Sequence, residues 1–298
     1  MHRFTARSLR LAMLALSAPL LACHLARAQG TEPEWADVAR ILKTADTPTS
    51  GYHRYNFPRR DVTVHLGDVT VATAMAFGAW AGFSGTPGDA VMMGDLVLLP
   101  TELKPVQAEL ARQHIDITAI HNHLSGESPE IIYVHYHAMG AITELATRLD
   151  RVLAQSAIPR PVAAAGAPPP LAIDTAEVFR VLGIRGRATG NVVQISVVLV
   201  SGTVTMDGRT VFPALGYGTP INLQAVSPTR MVATGDFSVT ARQLQPIVNA
   251  LAAHGITATA LHSHLRDETP HIYYMHFWAD GPTAEVLAGL RSALDAAK

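Results

Sequence analysis

The residues best suited to chemistry are histidines, and they are concentrated in two short segments of the chain. Residues 121–137 read HNHLSGESPEIIYVHYH, and residues 262–278 read HSHLRDETPHIYYMHFW. Together these segments hold eight of the 14 histidines in the chain. Eight of the 17 aligned positions are identical, and they include three histidines and one glutamate in each segment. The sequence therefore presents the same set of metal-ligating side chains twice.

Three imidazoles and one carboxylate suit a divalent transition metal such as Zn²⁺, Mn²⁺, Fe²⁺, Ni²⁺ or Cu²⁺. Side chains separated by one residue share a face of a β-strand, so two histidines spaced H-x-H point to the same side. We predict strands over 116–124 and 131–137, joined as a hairpin whose register places all three histidines on one face. The predicted ligands are His121, His123, Glu127 and His135, and in the second segment His262, His264, Glu268 and His276.

The two glutamates lie in the predicted loop and have three interpretations. Glu127 or Glu268 is a fourth ligand, or the general base for a metal-activated water, or a carboxylate that caps backbone N–H groups. The histidines have an alternative as well, because hydrogen bonds between polar side chains could stabilise a hairpin that both segments need.

Other residues near these segments receive structural predictions. Tyr133 and Tyr274 are expected in the core. Asp95 and Asp236 each follow a glycine, which favours a turn; the alternative is that each carboxylate orients a histidine. His137 and His271 have no histidine at the matching position and are predicted to be peripheral.

The similarity extends over both halves of the chain at an offset of 140 or 141 residues. We predict two tandem homologous repeats, 31–156 and 172–298, joined by a Pro/Ala-rich linker over 157–171. Helical and strand patterns follow the same order in each half. The predicted fold class is α+β, in which each repeat is a mostly antiparallel sheet with helices packed on one face. The two histidine hairpins are expected to face each other across a pseudo-twofold axis.

Composition excludes several classes of protein. The 298 residues are 48% hydrophobic and 16% charged, which excludes a disordered chain. The formal net charge is −1 and no long basic run is present, so nucleic acid is not an expected partner. The single cysteine, Cys23, excludes an internal disulfide or a metal site built from several cysteines.

The first 28 residues resemble a signal peptide. Arg3, Arg7 and Arg10 precede an apolar segment over 11–22. Cleavage is expected either after Ala28, at an A-x-A site, or before Cys23, at a lipobox that would leave a lipid on this cysteine. The expected location is the periplasm or cell envelope, with a lipid at Cys23 as the sole membrane attachment.

The motifs resemble those of the LppY/LpqO family, exported bacterial proteins and lipoproteins of unknown function. The matching strings are MGDLVL at 93–98, TAIHNHL at 118–124, TALHSH at 259–264 and YMH at 274–276. The resemblance covers nearly the whole chain after the leader. It implies export, a duplicated domain and a lipid anchor as one option, but no activity.

The leading functional interpretation is transition-metal binding that supports hydrolysis by a metal-activated water. The alternative is a non-catalytic envelope protein that binds a metal or small ligand for storage, sensing or delivery. Catalysis predicts a coordination position open to a pocket, whereas storage predicts a closed or surface site. Whether the protein is an enzyme is left open by the sequence.

Overall fold

The chain folds into two halves with the same order of helices and strands. The structure, a computed structural model, describes residues 33–49, 51–162 and 173–298. The predicted signal peptide, Cys23 and residues 163–171 of the predicted linker lie outside the described residues. The first half consists of α1 (Pro33–Leu42), β1 (Asp46–Thr49), β2 (Tyr52–Pro58), β3 (Val64–Leu66), β4 (Val69–Val71), α2 (Thr73–Ala76), β5 (Gly78–Thr86), β6 (Asp89–Leu98), α3 (Pro100–Arg112), β7 (Asp116–His121), β8 (Ile132–Gly140) and α4 (Ile142–Leu153).

The second half repeats this order of twelve elements. They are α5 (Thr175–Leu182), β9 (Gly186–Thr189), β10 (Val192–Val197), β11 (Thr205–Met206), β12 (Arg209–Thr210), α6 (Pro213–Gly216), β13 (Thr219–Ala225), β14 (Arg230–Val239), α7 (Ala241–Ala253), β15 (Thr257–His262), β16 (Tyr273–Pro282) and α8 (Thr283–Ala296). The predicted tandem repeat is therefore confirmed.

Each half contains one six-stranded antiparallel sheet. The strand order is β1-β2-β5-β6-β8-β7 in the first sheet and β9-β10-β13-β14-β16-β15 in the second. The histidine hairpin occupies β7 and β8 in one sheet and β15 and β16 in the other, so it lies at the same edge of each sheet. This arrangement is the predicted α+β class.

Helices cover one face of each sheet. Alternate residues of β8, such as Val134 and Ala138, belong to the same buried cluster as Leu145 and Leu149 of α4. The helix α8 packs in the same way against β14 and β16. Because side chains alternate along a strand, the residues between them point away from the helices and towards the other repeat.

The two repeats pack together through an apolar cluster and a set of polar contacts. Val91 and Met93 of β6 lie in one buried cluster with Leu215 and Leu265 of the second repeat. At the edges of this interface, three arginines of the second repeat form ion pairs with aspartates of the first: Arg209–Asp89 at 2.7 Å, Arg230–Asp68 at 2.7 Å and Arg266–Asp116 at 2.9 Å.

Local contacts set the ends of several elements. Asp174 is the N-cap of α5 and accepts a hydrogen bond from the backbone N–H of Glu177, a contact typical of aspartate at this position. The first strand of each histidine hairpin is shorter than predicted, because β7 ends at His121 and His123 lies in the following loop. Among the described helices, none combines the length and the hydropathy needed to span a bilayer.

Candidate metal centre

Six histidines, three from each repeat, form one cluster between the two sheets. Three pairs of rings stack across the interface, with centroid distances of 3.7 Å for His121–His262, 3.9 Å for His123–His276 and 3.6 Å for His135–His264. Exchanging the two repeats maps each pair onto itself or onto another pair. The two hairpins therefore face each other across a pseudo-twofold axis.

The register of each hairpin places two of its three rings on one face. His121 pairs with Tyr133, and Ala119 pairs with His135 after a bulge between Ile117 and Ala119. The second hairpin has the same pairing, in which His262 lies opposite Tyr274. The bulge shifts the register by one residue, and His121 and His135 still reach the same face.

His123 and its counterpart His264 lie beyond the strand ends and are held by stacking. The ring centroids of His123 and Tyr133 lie 3.3 Å apart, and those of His264 and Tyr274 lie 3.8 Å apart. Both tyrosines are buried, as predicted, and Tyr274 donates a hydrogen bond to the carbonyl of Gly216. The two tyrosines thus form the platforms that orient the second histidine of each H-x-H motif.

The donor atoms of these rings are close enough to share metal ions. Two groups have all their donor atoms within 4.8 Å of one another. One group joins members of both repeats, and the other comes from the first repeat alone. The groups are His121, His262, His264 and His276, and His121, His123 and His135.

Seven ring nitrogens of this cluster are buried and have no hydrogen-bond partner. Buried polar atoms are nearly always partnered, and each one left unpartnered costs about 1–3 kcal/mol. Imidazole nitrogens are good ligands for divalent transition metals, so the donor set fits such an ion. The seven atoms are both nitrogens of His121 and the Nε2 atoms of His123, His135, His262, His264 and His276.

Backbone carbonyls hold two of the rings in a defined orientation. The Nδ1 atom of His276 lies 3.1 Å from the carbonyl oxygen of Gly235, and that of His262 lies 3.4 Å from the carbonyl oxygen of Ser263. When Nδ1–H donates to such a carbonyl, the lone pair of Nε2 is left free for a metal ion. Such bonds from the distal nitrogen are typical of histidines that ligate metals.

Burial lowers the pKa of all six histidines. Desolvation is the largest cause in each case; it lowers the pKa of His262 to about 4 and that of His276 to about 3. The neighbouring imidazoles lower the pKa of four others further: His121, His123, His135 and His264. The rings are consequently neutral at pH 7, and their lone pairs are available to a cation.

The carboxylates nearest the cluster are Asp95 and Asp236. An oxygen of Asp95 lies 3.6 Å from Nε2 of His135, and one of Asp236 lies 4.0 Å from Nδ1 of His264. The predicted turn at these positions is wrong, because both residues lie inside the long strands β6 and β14. Burial raises the pKa of Asp236 to about 8 and that of Asp95 well above its usual value.

The structure does not bring Glu127 or Glu268 into either histidine group. Glu127 accepts a hydrogen bond of 3.3 Å from the backbone N–H of Ile131, and Glu268 accepts one of 2.7 Å from Ile272. These contacts agree with the third interpretation of the glutamates, which is capping of the backbone within the loop. His271 lies against Glu268 at 2.9 Å and is likewise outside the cluster.

The cluster borders a cavity of about 720 Å³ between the repeats. Four of the six histidines line it, together with both aspartates. Sequence reasoning missed Arg54 of β2, which also lines the cavity, because no motif surrounds it. The sequence feature that could have identified it is the difference between the repeats, since Gln194 occupies the equivalent position of the second repeat. The lining histidines of the cluster are His123, His135, His264 and His276; His137, predicted to be peripheral, is buried and also lines the cavity.

Comparison with known proteins identifies a family but no activity. Residues 36–155 and 176–296 each match a Domain of Unknown Function (DUF1259). No curated protein matches the chain. A solved structure described as "Crystal structure of EtuB from Clostridium kluyveri" is similar at 9% identity, over 86% of this chain and 90% of that chain, with a TM-score of 0.20. This TM-score is too low to support an argument. Because the two family matches cover most of the chain, the protein belongs to the DUF1259 family.

Proposed function

We propose that this two-repeat member of the DUF1259 family binds a divalent transition metal at the interface of its repeats. The observation that carries the proposal is the set of seven buried ring nitrogens without hydrogen-bond partners. A purely structural histidine cluster would satisfy these atoms with protein groups, because leaving them unpartnered is costly. A metal ion satisfies several of them at once.

Each repeat contributes one set of three ligands. His121, His123 and His135 form the first set, and the equivalent residues of the second repeat form the other: His262, His264 and His276. His121 lies within reach of both sets and has both ring nitrogens unpartnered. The metal, Zn²⁺, Mn²⁺, Fe²⁺, Ni²⁺ or Cu²⁺, would supply a Lewis acid beside the cavity.

The cavity beside the histidines supports action on a small molecule rather than storage of the metal. A storage site is expected to be closed or to lie on the surface, whereas four of these rings line a cavity between the repeats with room for a ligand. We propose hydrolysis by metal-activated water as the reaction class. Asp95 and Asp236 lie beside the histidines and line the same cavity, so they replace Glu127 and Glu268 as the carboxyl groups that would transfer a proton during the reaction.

Export and the narrower family assignment are also proposals. The basic and apolar segments of residues 1–28 support delivery to the periplasm or cell envelope, with Cys23 as the alternative lipid anchor. The motif strings support a relationship to the LppY/LpqO proteins within the broader family.

Elemental analysis of the purified protein tests the metal proposal. We expect the wild-type protein to contain metal, and the double variants His121→Ala/His123→Ala and His262→Ala/His264→Ala to contain less. His254→Ala is the matched control, because this exposed histidine lies outside the cluster. The first double variant is expected to lose more metal, since His121 belongs to both ligand groups. Equal metal content in all four proteins would refute the proposal.

A further inference from the structure

We propose that Arg54 is an anion-binding residue in the same cavity, so the small molecule taken up carries a carboxylate or phosphate group. This inference rests on the proposed function only for the presence of a metal in the cavity. The binding of the anion follows from the contacts of Arg54 itself and from a comparison of the two repeats.

The guanidinium of Arg54 is held in place without an ion pair within the described residues, and the charge of Asp95 in the same cavity acts on it from a greater distance. Its Nε donates to the side-chain oxygen of Asn56 at 3.0 Å, and its Nη1 donates to the carbonyl of Ala214 at 3.0 Å. Its central carbon lies 4.0 Å from the centroid of the Trp80 ring. Among residues 33–49, 51–162 and 173–298, no ion pair involves Arg54, and its Nη2 makes no hydrogen bond. A fixed guanidinium with free N–H donors is suited to a planar or tetrahedral oxyanion.

The second repeat shows that the packing of the two halves does not need this charge. Gln194 of β10 occupies the position equivalent to Arg54, and its side-chain N–H donates to the carbonyl of Ala74 at 2.8 Å. Ala74 is in turn the equivalent of Ala214, so the same bond across the interface is formed twice. A neutral amide is sufficient in one repeat. The guanidinium in the other repeat therefore adds a positive charge that the interface does not require.

Other residues of the cavity support the binding of an anion. Burial is the largest effect on Arg54 and lowers its pKa to about 10, which still leaves it charged at pH 7. A cation in such surroundings is stabilised by an anionic partner. Arg60 and Arg187 also line the cavity, and Val200 and Thr47 occupy their equivalent positions. All three positive charges thus break the symmetry of the repeats, whereas the six histidines preserve it.

The volume and position of the cavity define the class of ligand. A volume of about 720 Å³ accommodates a small organic molecule. Arg54 would hold the anionic group, and the rest of the molecule would extend towards the histidines that line the same cavity. Because Gln194 provides no charge at the opposite position, such a molecule would bind in a single orientation despite the pseudo-twofold axis.

Calorimetric titration of the full chain, stripped of metal with EDTA, tests this inference. The probes are butyrate and inorganic phosphate, with butyramide as the neutral comparator of butyrate. We expect at least one anion to bind and butyramide not to bind. In Arg54→Gln, which copies the second repeat and keeps an amide for the carbonyl of Ala214, we expect the affinity for the anion to fall about tenfold or more. Arg54→Lys keeps the charge and should restore part of the affinity.

The outcomes separate this inference from the metal proposal. Equal affinity in the wild type and Arg54→Gln would overturn it, as would the failure of both anions to bind. If Arg54→Gln does not fold, equal binding of butyrate and butyramide to the wild type overturns it instead. The wild-type protein could lack metal and still bind an anion through Arg54, in which case only the metal proposal fails. If Arg54→Gln retains its metal but not its anion, both proposals are supported.

Discussion

Truncating His264 should remove most of the stabilisation of the protein by metal while leaving the stability of the metal-free protein nearly unchanged. In the metal-free protein, His264→Ala removes several ring contacts, and the two shortest are those to Tyr274 at 3.8 Å and to His135 at 3.6 Å. Aromatic pairs contribute about 0.5–1.5 kcal/mol each, so their loss costs about 1–3 kcal/mol. Removing the buried, unpartnered Nε2 relieves a similar penalty of about 1–3 kcal/mol. The two effects oppose each other.

The loss of metal-dependent stabilisation in the same variant is not offset by any opposing effect. A ligand at a concentration about 100 times its Kd stabilises the folded state by about 2.7 kcal/mol. In a protein of this size, 1 kcal/mol shifts the Tm by about 2–4 °C, so metal should raise the wild-type Tm by about 5–10 °C. His264 belongs to the group of four ligands, and its loss should remove most of this shift.

Differential scanning calorimetry with EDTA and with added Zn²⁺ measures both quantities. The control His254→Ala removes an exposed histidine outside the cluster and should retain the full metal-dependent shift. The reasoning is refuted if Zn²⁺ raises the Tm of His264→Ala as much as that of the wild type. It is also refuted if Zn²⁺ does not raise the Tm of the wild type.

Two further predictions concern the stability of the metal-free protein. Burial lowers the pKa of His262 to about 4 and that of His276 to about 3, so the unfolded chain binds more protons below about pH 6.5. The raised pKa of Asp236 acts in the opposite sense, but the six histidines outnumber the two buried aspartates. The free energy of unfolding measured in urea should therefore fall as the pH is lowered from about 6.5 to about 5. A free energy of unfolding that stays constant over this range would contradict this account. The second prediction concerns Arg59, which is 1% exposed and bonds Glu102 at 2.8 Å. Because Arg59→Met leaves this carboxylate buried without its cation, the same measurement should show a loss of about 3–5 kcal/mol, whereas the exposed control Arg40→Ala should lose less than about 1 kcal/mol.

The tandem repeat and the hairpin register could be predicted because both depend on local patterns. The H-x-H spacing places His121 and His123 on one side, and the recurrence of the motif shows that the arrangement is used twice. Contacts between the repeats are different, since they join residues about 140 positions apart. The stacking of His135 on His264 depends on how the two sheets pack, which no short motif encodes.

The aspartates show why one local pattern was misleading. A Gly-Asp pair is typical of turns, but Gly94 lies inside β6 for a different reason. A Cβ atom at this position would lie 2.2 Å from the hydroxyl of Tyr136, which donates a hydrogen bond to the carbonyl of Trp80. The glycine therefore leaves room for the side chain of Tyr136, which reaches from β8 across β6 to Trp80 of β5. Asp95 follows it in an extended backbone and points to the face of the histidines.

The prediction of Glu127 and Glu268 as metal ligands rests on their residue type and on their recurrence in both repeats. Glu127 and Glu268 recur in both repeats, and carboxylates are common ligands, so the pattern favoured them. In the structure each carboxylate bonds a backbone N–H four residues later, at Ile131 and at Ile272. A residue that recurs in both repeats can therefore have a structural role in the loop, as these glutamates do, or a chemical role in the cluster, as the histidines do.

Each imidazole of the cluster stacks on one from the other repeat. Binding of a metal ion is therefore coupled to the relative movement of the two repeats. His121 stacks on His262, and the two other pairs cross the interface in the same way. Separation of the halves by a few ångströms would break all three stacks and split the group of four ligands. The rate at which a bound ion escapes would then be governed by the opening of this interface, and a cross-link between the halves would slow its exchange.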